Sequence, residues 1–188
     1  MKKFLLLSGA ALLYTTSANA MTHYNWSEIK PYVGLEYVYS KAKLGGTARG
    51  LKDNFNSIKG DLGMELYKNM YMEFSYQQSW QVKNKNANPD NNSIKQRFAA
   101  YAMDLYGKMP IMCSSFGAVL TGGLALYDVT QKGLPDKSFQ RVGYRIGGGM
   151  QYDMNEHWSA RVIGRYSYVG ANRLNNLKEV TAGILYRF

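Results

Sequence analysis

From Val142 every second residue is apolar or glycine: Val142, Tyr144, Ile146, Gly148, Met150 and Tyr152, interleaved with Gly143, Arg145, Gly147, Gly149 and Gln151. One face of this run is greasy and the other has no large apolar side chain, which is the two-residue period of a strand. Residues 153–157 follow, with Asn155 favouring a turn. The next run sets Trp158, Ala160, Val162, Tyr166 and Tyr168 against Arg161, Arg165 and Ser167, completing a hairpin. The same rhythm runs earlier through Val33, Leu35, Tyr37 and Tyr39, through Ile58, Leu62, Met64 and Leu66, and through Met72, Phe74, Tyr76 and Trp80. It continues in Ala99, Tyr101, Met103 and Leu105, less cleanly because Phe98 falls on the polar side, and in Leu120, Leu124 and Leu126. Val180, Ala182, Ile184, Tyr186 and Phe188 make the last run. These are about eight strands, each near the ~9–11 residues that a tilted strand needs to cross a bilayer.

The connections alternate in length. Short ones fall at Lys68 and Asn69, at 107–115 and at 155–157; longer polar ones fall at 41–55, 83–95, 129–138 and 170–176. Membrane barrels place short turns in the periplasm and longer loops outside. The pattern predicts an all-β fold, an eight-stranded antiparallel up-and-down transmembrane β-barrel.

Alternation alone does not say which face is inside, and a soluble barrel of lipocalin type would enclose its apolar face. Three features favour the membrane version. The polar face mixes glycines with its charges, as a narrow lumen requires. Aromatic residues mark two heights, with Tyr39, Trp80, Tyr127, Phe139 and Tyr168 toward the loops and Tyr106, Phe116, Tyr152, Trp158 and Tyr186 toward the turns, as in interfacial girdles. The chain closes on an alternating strand with a terminal aromatic, Phe188.

Composition sharpens this reading. Nineteen glycines, 16 tyrosines and 7 phenylalanines coexist with a mean hydropathy of -0.36, as expected when only alternate residues face lipid. Residues 1–20 read as a signal peptide: Lys2 and Lys3, an apolar run from Phe4 to Tyr14, then a small-residue site at Ala18 and Ala20. Cleavage after Ala20 would leave residues 21–188 as the barrel domain. The charge of +10 stays basic after loss of the two leader lysines. Cys113 is the only cysteine, so no intramolecular disulfide forms.

The run Gly147-Gly148-Gly149-Met150-Gln151-Tyr152, then Asn155 and Arg165-Tyr166-Ser167-Tyr168, resembles the final hairpin region of the outer-membrane-protein-A-like and opacity-type β-barrel family. The terminal Leu185-Tyr186-Arg187-Phe188 resembles the assembly signal of such barrels, with Ile184, Tyr186 and Phe188 its apolar positions, read by the barrel-assembly machinery. The resemblance implies localisation in the cell outer membrane and contact with outer membrane lipids and lipopolysaccharide. It does not carry over the peptidoglycan-binding domain of larger members.

Charges on the predicted inner face are acidic early and basic late. Glu36, Asp61, Glu65, Glu73 and Asp104, with Lys59, would face Arg141, Arg145, Arg161, Arg165 and Arg187, with Glu179, when the first and last strands meet. Desolvated charges must pair, so the expectation is an ion-pair plug in place of a charge-lined pore. The first loop offers a candidate polyanion-binding set, Lys41, Lys43, Arg49 and Lys52, against Asp53 alone. Catalysis is not expected, since His23 and His157 both fall at the periplasmic end; no metal, cofactor or nucleic acid is implied. The function expected is a structural and surface-interaction barrel contributing to envelope integrity, adhesin-like through loops that meet host cell surfaces or glycans. A narrow porin-like diffusion channel and a soluble periplasmic lipid-binding barrel are its rivals.

Overall fold

A computed structural model describes residues 30–44, 53–84, 94–111, 115–132, 137–170 and 174–188. Ala18, Ala20, His23, Arg49, Lys52 and Cys113 lie outside the described residues, as does the side chain of Phe139.

The strands are β1 (Pro31–Leu44), β2 (Asn54–Tyr67), β3 (Met70–Ser79), β4 (Val82–Asn84), β5 (Ile94–Pro110), β6 (Phe116–Lys132), β7 (Lys137–Asp153), β8 (Trp158–Tyr168) and β9 (Leu174–Arg187). β3 and β4 are two parts of one wall strand, since both pair with β5. Each strand pairs antiparallel with its sequence neighbour and β9 returns to β1, closing an eight-walled barrel without free edges. Strands run further than the alternation suggested. Lys41 and Lys43 lie on β1 and residues 107–110 on β5, because backbone pairing continues past the last residues whose side chains alternate cleanly.

Register sets the barrel's size. Stepping across paired residues from Tyr32 leads through Gly63, Glu73, Asp104, Gly123, Arg145, Ser167 and Leu177 to Ala42. The circuit thus returns to β1 ten residues beyond its start. With eight strands, that stagger implies a tilt of roughly 40° and a backbone radius of roughly 8 Å, a lumen that side chains fill.

The apolar face points outward. Val142, Ile146, Met150 and Ile184 are about half exposed or more, Ile146 at 68 %, whereas Arg145 is 4 % and Arg161 2 % exposed. A soluble protein would not leave such a continuous band in water, at roughly 1.5–3 kcal/mol per large apolar side chain. The lipocalin-type arrangement is therefore not adopted. No described helix is long and apolar enough to cross a membrane; the strands do so.

Two of the girdle assignments fail. Tyr106 and Tyr127 are buried in the lumen, because they share the parity of Asp104 and Ala125, which also point inward. Tyr39, Trp80 and Tyr168 at the loop end, and Phe116, Tyr152 and Trp158 at the turn end, do face outward.

Val162 sits on the outer face of β8, between Trp158 and Tyr168 at the two interfaces. Val162→Arg is expected to destabilise the protein by about 2–4 kcal/mol in lipid vesicles, the cost of a basic residue near the midplane. Urea titration of refolded protein reads this; an unchanged midpoint would show that this face does not meet lipid.

Candidate functional site

The lumen is built in three layers. Its centre is charged, and strand register explains which groups meet. Glu36 lies directly across from Lys59 on β2, and their charged atoms are 2.6 Å apart. Lys59 also reaches Asp61 at 3.0 Å and Glu73 at 3.3 Å. Arg161 approaches from β8, with its guanidinium 2.6 Å from Glu36 and 2.8 Å from Glu73, 3.8 Å from Asp61, and over the Tyr106 ring at 4.7 Å.

Three of these reaches pass over a glycine on the strand between. Arg161 faces Gly183, which faces Glu36. Arg145 faces Gly123, which faces Asp104, and Arg145 pairs with Asp104 at 3.0 Å. Tyr32 faces Gly63, which faces Glu73, and the Tyr32 hydroxyl donates to Glu73 at 2.9 Å. A Cβ at Gly183 would come within 2.6 Å of the Glu36 side chain, and one at Gly63 would enter the Tyr32 ring. In a lumen this narrow, only a missing side chain lets charges two strands apart touch.

Hydroxyls and amides complete the network. Tyr106 donates to Glu73 at 2.8 Å and accepts from Arg165 at 2.8 Å. Arg165 also lies 3.8 Å from Asp104. Glu179 accepts from Gln77 at 3.0 Å and from Ser40 at 3.1 Å.

Glu36, Asp61, Glu73, Asp104, Arg145, Arg161 and Arg165 thus come together as the inner-face parity places them, joined by Lys59. Three expected members do not join. Arg141 has inward parity but sits exposed at the rim, above the closed lumen. Glu65 and Arg187 are half-buried at the turn end and make no ion pair among the described residues, although the backbone N–H of Asn69 donates to Glu65 at 3.3 Å. The parities of Tyr32, Tyr106, Gln77 and Ser40 already place them inside; reading Tyr106 as a girdle residue by type hides it.

Apolar layers close both ends of this network. Toward the loops Phe55 and Phe98 meet edge to face at 5.4 Å, packed with Tyr127, Val129, Leu174 and Leu177 among others. Toward the turns Tyr106, Val119 and Ile163 form a smaller cluster against Tyr71. Beside it is a cavity of about 10 Å³ lined in part by Tyr32, Lys108 and Arg161, room for about one water.

On the outer wall at the loop end, Lys41 and Lys43 are exposed on β1, and Lys41 stands directly across from Lys178 on β9. Neither Lys41 nor Lys178 has an ion-pair partner among the described residues. At the turn end Tyr186 packs on Trp158 at 4.9 Å and Phe188 at 5.1 Å. His157 stacks on Tyr186, its ring Nδ1 3.0 Å from the Arg187 carbonyl. No group of three or more His, Cys, Asp or Glu residues able to hold a metal occurs among the described residues.

The family model for the outer membrane protein beta-barrel domain matches residues 8–188. Among solved structures, Neisserial surface protein A superposes with a TM-score of 0.67 at 18% identity, covering 84% of this chain and 97% of that one. The N-terminal β-barrel of Pseudomonas aeruginosa OprF gives 0.60 at 15% identity, covering 84% and 97%. Ail, the attachment invasion locus protein of Yersinia pestis, gives 0.59 at 13% identity, covering 86% and 99%, in a crystal structure with the heparin analogue sucrose octasulfate. These likenesses are of fold. No curated protein matches the sequence.

Replacing Lys59 by Met would leave three buried carboxylates with Arg161 as the one cation in contact with all of them. The expected loss is about 3–5 kcal/mol, as for removal of one partner from a buried pair, read by urea unfolding in detergent or bilayers. A change below ~1 kcal/mol, the usual range of an exposed pair, would mean that water enters and the network is not desolvated.

Proposed function

The chain belongs to the outer membrane β-barrel family, and on that premise we propose that it is a structural and surface-interaction barrel of the bacterial outer membrane whose loop end binds polyanions. The observation that carries this reading is the filled lumen. An ion crossing it would have to part the Phe55–Phe98 layer and then charges already paired at 2.6–3.3 Å. This favours a scaffold over a diffusion channel, and what a scaffold offers partners is its outside.

Lys41 and Lys178 support the polyanion part. Like charges directly across a sheet repel, and no carboxylate among the described residues pairs with either; an anion between them would relieve this. Two residues from Lys41 on the same face, Tyr39 marks the interface. A cation pair at that height is within reach of lipopolysaccharide phosphates and of host glycans, which supports the reading. The sulfated ligand held by Ail, on the same fold, suits this reading. Arg49 and Lys52 extend the set in sequence. We include in the proposal signal cleavage after Ala20 and recognition of Ile184, Tyr186 and Phe188 by the assembly machinery, Phe188 being exposed at the turn end.

Two measurements test the reading. Purified protein in planar bilayers is expected to give no steady single-channel conductance, and reproducible steps would restore the channel. Replacement of Lys41, Lys43, Arg49 and Lys52 by Ala is expected to weaken heparin binding at least several-fold and to flatten its salt dependence, each lost contact removing part of the electrostatic attraction. Unchanged binding would remove the polyanion assignment.

A further inference from the structure

One more charge crosses a glycine, at the turn end of the lumen. Lys108 on β5 has the inward parity of Asp104 and Tyr106, and its ammonium pairs with Asp153 on β7. The strand between them, β6, presents Gly117, which lies across from Gln151 on β7. A Cβ at Gly117 would come within 2.6 Å of Lys108 Cε and 2.9 Å of its Cγ. The lysine therefore lies along the gap that the glycine leaves. Lys108 takes one carboxylate oxygen of Asp153, and the other accepts from the Ser159 hydroxyl at 2.8 Å and the Gln151 amide at 3.0 Å. Side chains from β5, β7 and β8 are thus tied together across the mouth.

Lys108, Gln151 and Ser159 line the turn-end cavity of about 10 Å³, and so do Tyr32, Tyr106 and Arg161. Arg161 is the cation held by Glu36 and Glu73. A space for about one water therefore touches both the crossing and the buried charges. The two apolar layers are unequal seals. Toward the loops eleven buried residues cluster, and toward the turns three. Lys108 and Asp153 also form the one ion pair among the described residues that water reaches, their side chains 11 % and 26 % exposed against 2 % or less in every other pair. A pair that water already touches holds far less firmly than a desolvated one.

We infer that the Lys108–Asp153 crossing is a latch: when it lifts, water and its protons reach Arg161 and the carboxylates around it from the turn end, the periplasmic side of a membrane barrel, while the loop end stays sealed. Lifting needs no strand to move. Lys108 swings on its own flexible four-carbon stem, and Asp153 keeps Ser159 and Gln151. The cavity then joins bulk water through a local opening, which costs far less than unfolding the barrel. The charged centre is thereby one-sided, in exchange with the periplasm and closed to the outside. The latch is independent of any ligand at the loop end.

The test uses the full barrel in phosphatidylcholine nanodiscs, with nitrogen-labelled arginine. It follows the rate at which the Arg161 Nε–H, which donates to Glu36 at 2.8 Å, exchanges its proton with water. Lys108→Met and Asp153→Asn, each checked for folding by unchanged gel mobility before boiling, are expected to speed that exchange roughly tenfold or more. Gly117→Ala removes no charge, yet its methyl displaces Lys108 and should speed the exchange too. Combined with Lys108→Met it should add nothing further, since both act on one contact. Phe98→Ala, which thins the loop-side layer, should leave the Arg161 rate in place. The latch is overturned by an Arg161 rate that none of the three single changes moves, or that Phe98→Ala raises as much. Latch variants that speed backbone amide exchange equally along every strand have loosened the whole barrel, and overturn it as well.

Discussion

Among the described residues five carboxylates and four cations are buried inside a wall of eight strands, and everything else in the barrel accommodates them. Glu36, Asp61, Glu73, Asp104 and Glu179 face Lys59, Arg145, Arg161 and Arg165 in a space where each desolvated charge costs several kcal/mol if left alone. Partners are therefore compulsory, and they need reach: eight of the nine pair with an opposite charge, and Glu179 accepts from Gln77 and Ser40. Charges on adjacent strands meet directly, as Glu36 and Lys59 do. Charges two strands apart meet only over Gly183 or Gly123. The glycines of the inner face are thus parts of the ion pairs they separate.

The same constraint fixes register. Sliding one strand by a single residue would exchange its two faces, moving Arg145 or Arg161 into hydrocarbon at about 2–4 kcal/mol near the midplane and stranding their partners inside. The greasy outer band tolerates many apolar substitutions; the inner network tolerates one alignment. Buried ion pairs add little to net stability compared with an apolar core of similar volume. Here they exclude alternatives, and the apolar layers above and below them keep water out so that the exclusion is strong.

Much of this was legible along the chain because a two-residue period translates directly into inside and outside. The parity of Arg145, Arg161 and Arg165 against Val142, Ile146 and Val162 gave the walls, and the acidic early strands against basic late ones gave the pairing across the closure. Where the reading failed, residue type overrode parity. Tyr106 and Tyr127 looked like girdle residues, yet they stand on the face of Asp104 and Ala125 and serve as a hydroxyl relay and an apolar lid. Arg141 failed differently: its parity is correct, but parity carries no height, and beyond the rim an inward direction meets water. Height depends on stagger, and stagger emerges only when all eight registers are known together. The β-bulge at Trp80 and Gln81, where Gln78 pairs with Ala99 but Val82 with Gln96, was invisible for a related reason, since an inserted residue is defined by the partner strand.

That bulge shows how a filled barrel gains a surface. Regular pairing leaves no concavity on the outer wall, because neighbouring strands lie under ~5 Å apart and their side chains close the gap. One extra residue interrupts the ladder locally, and Ser79 and Gln78 bond the backbone of Phe98 with their side chains. The Gln96 amide, on the inner face with Phe98, keeps no hydrogen-bond partner among the described residues, while Lys95 and Arg97 stand on the outer face of the same strand. A packed lumen leaves contact with partners to the outer wall and the rim, and an interrupted strand is what breaks the regularity of that wall.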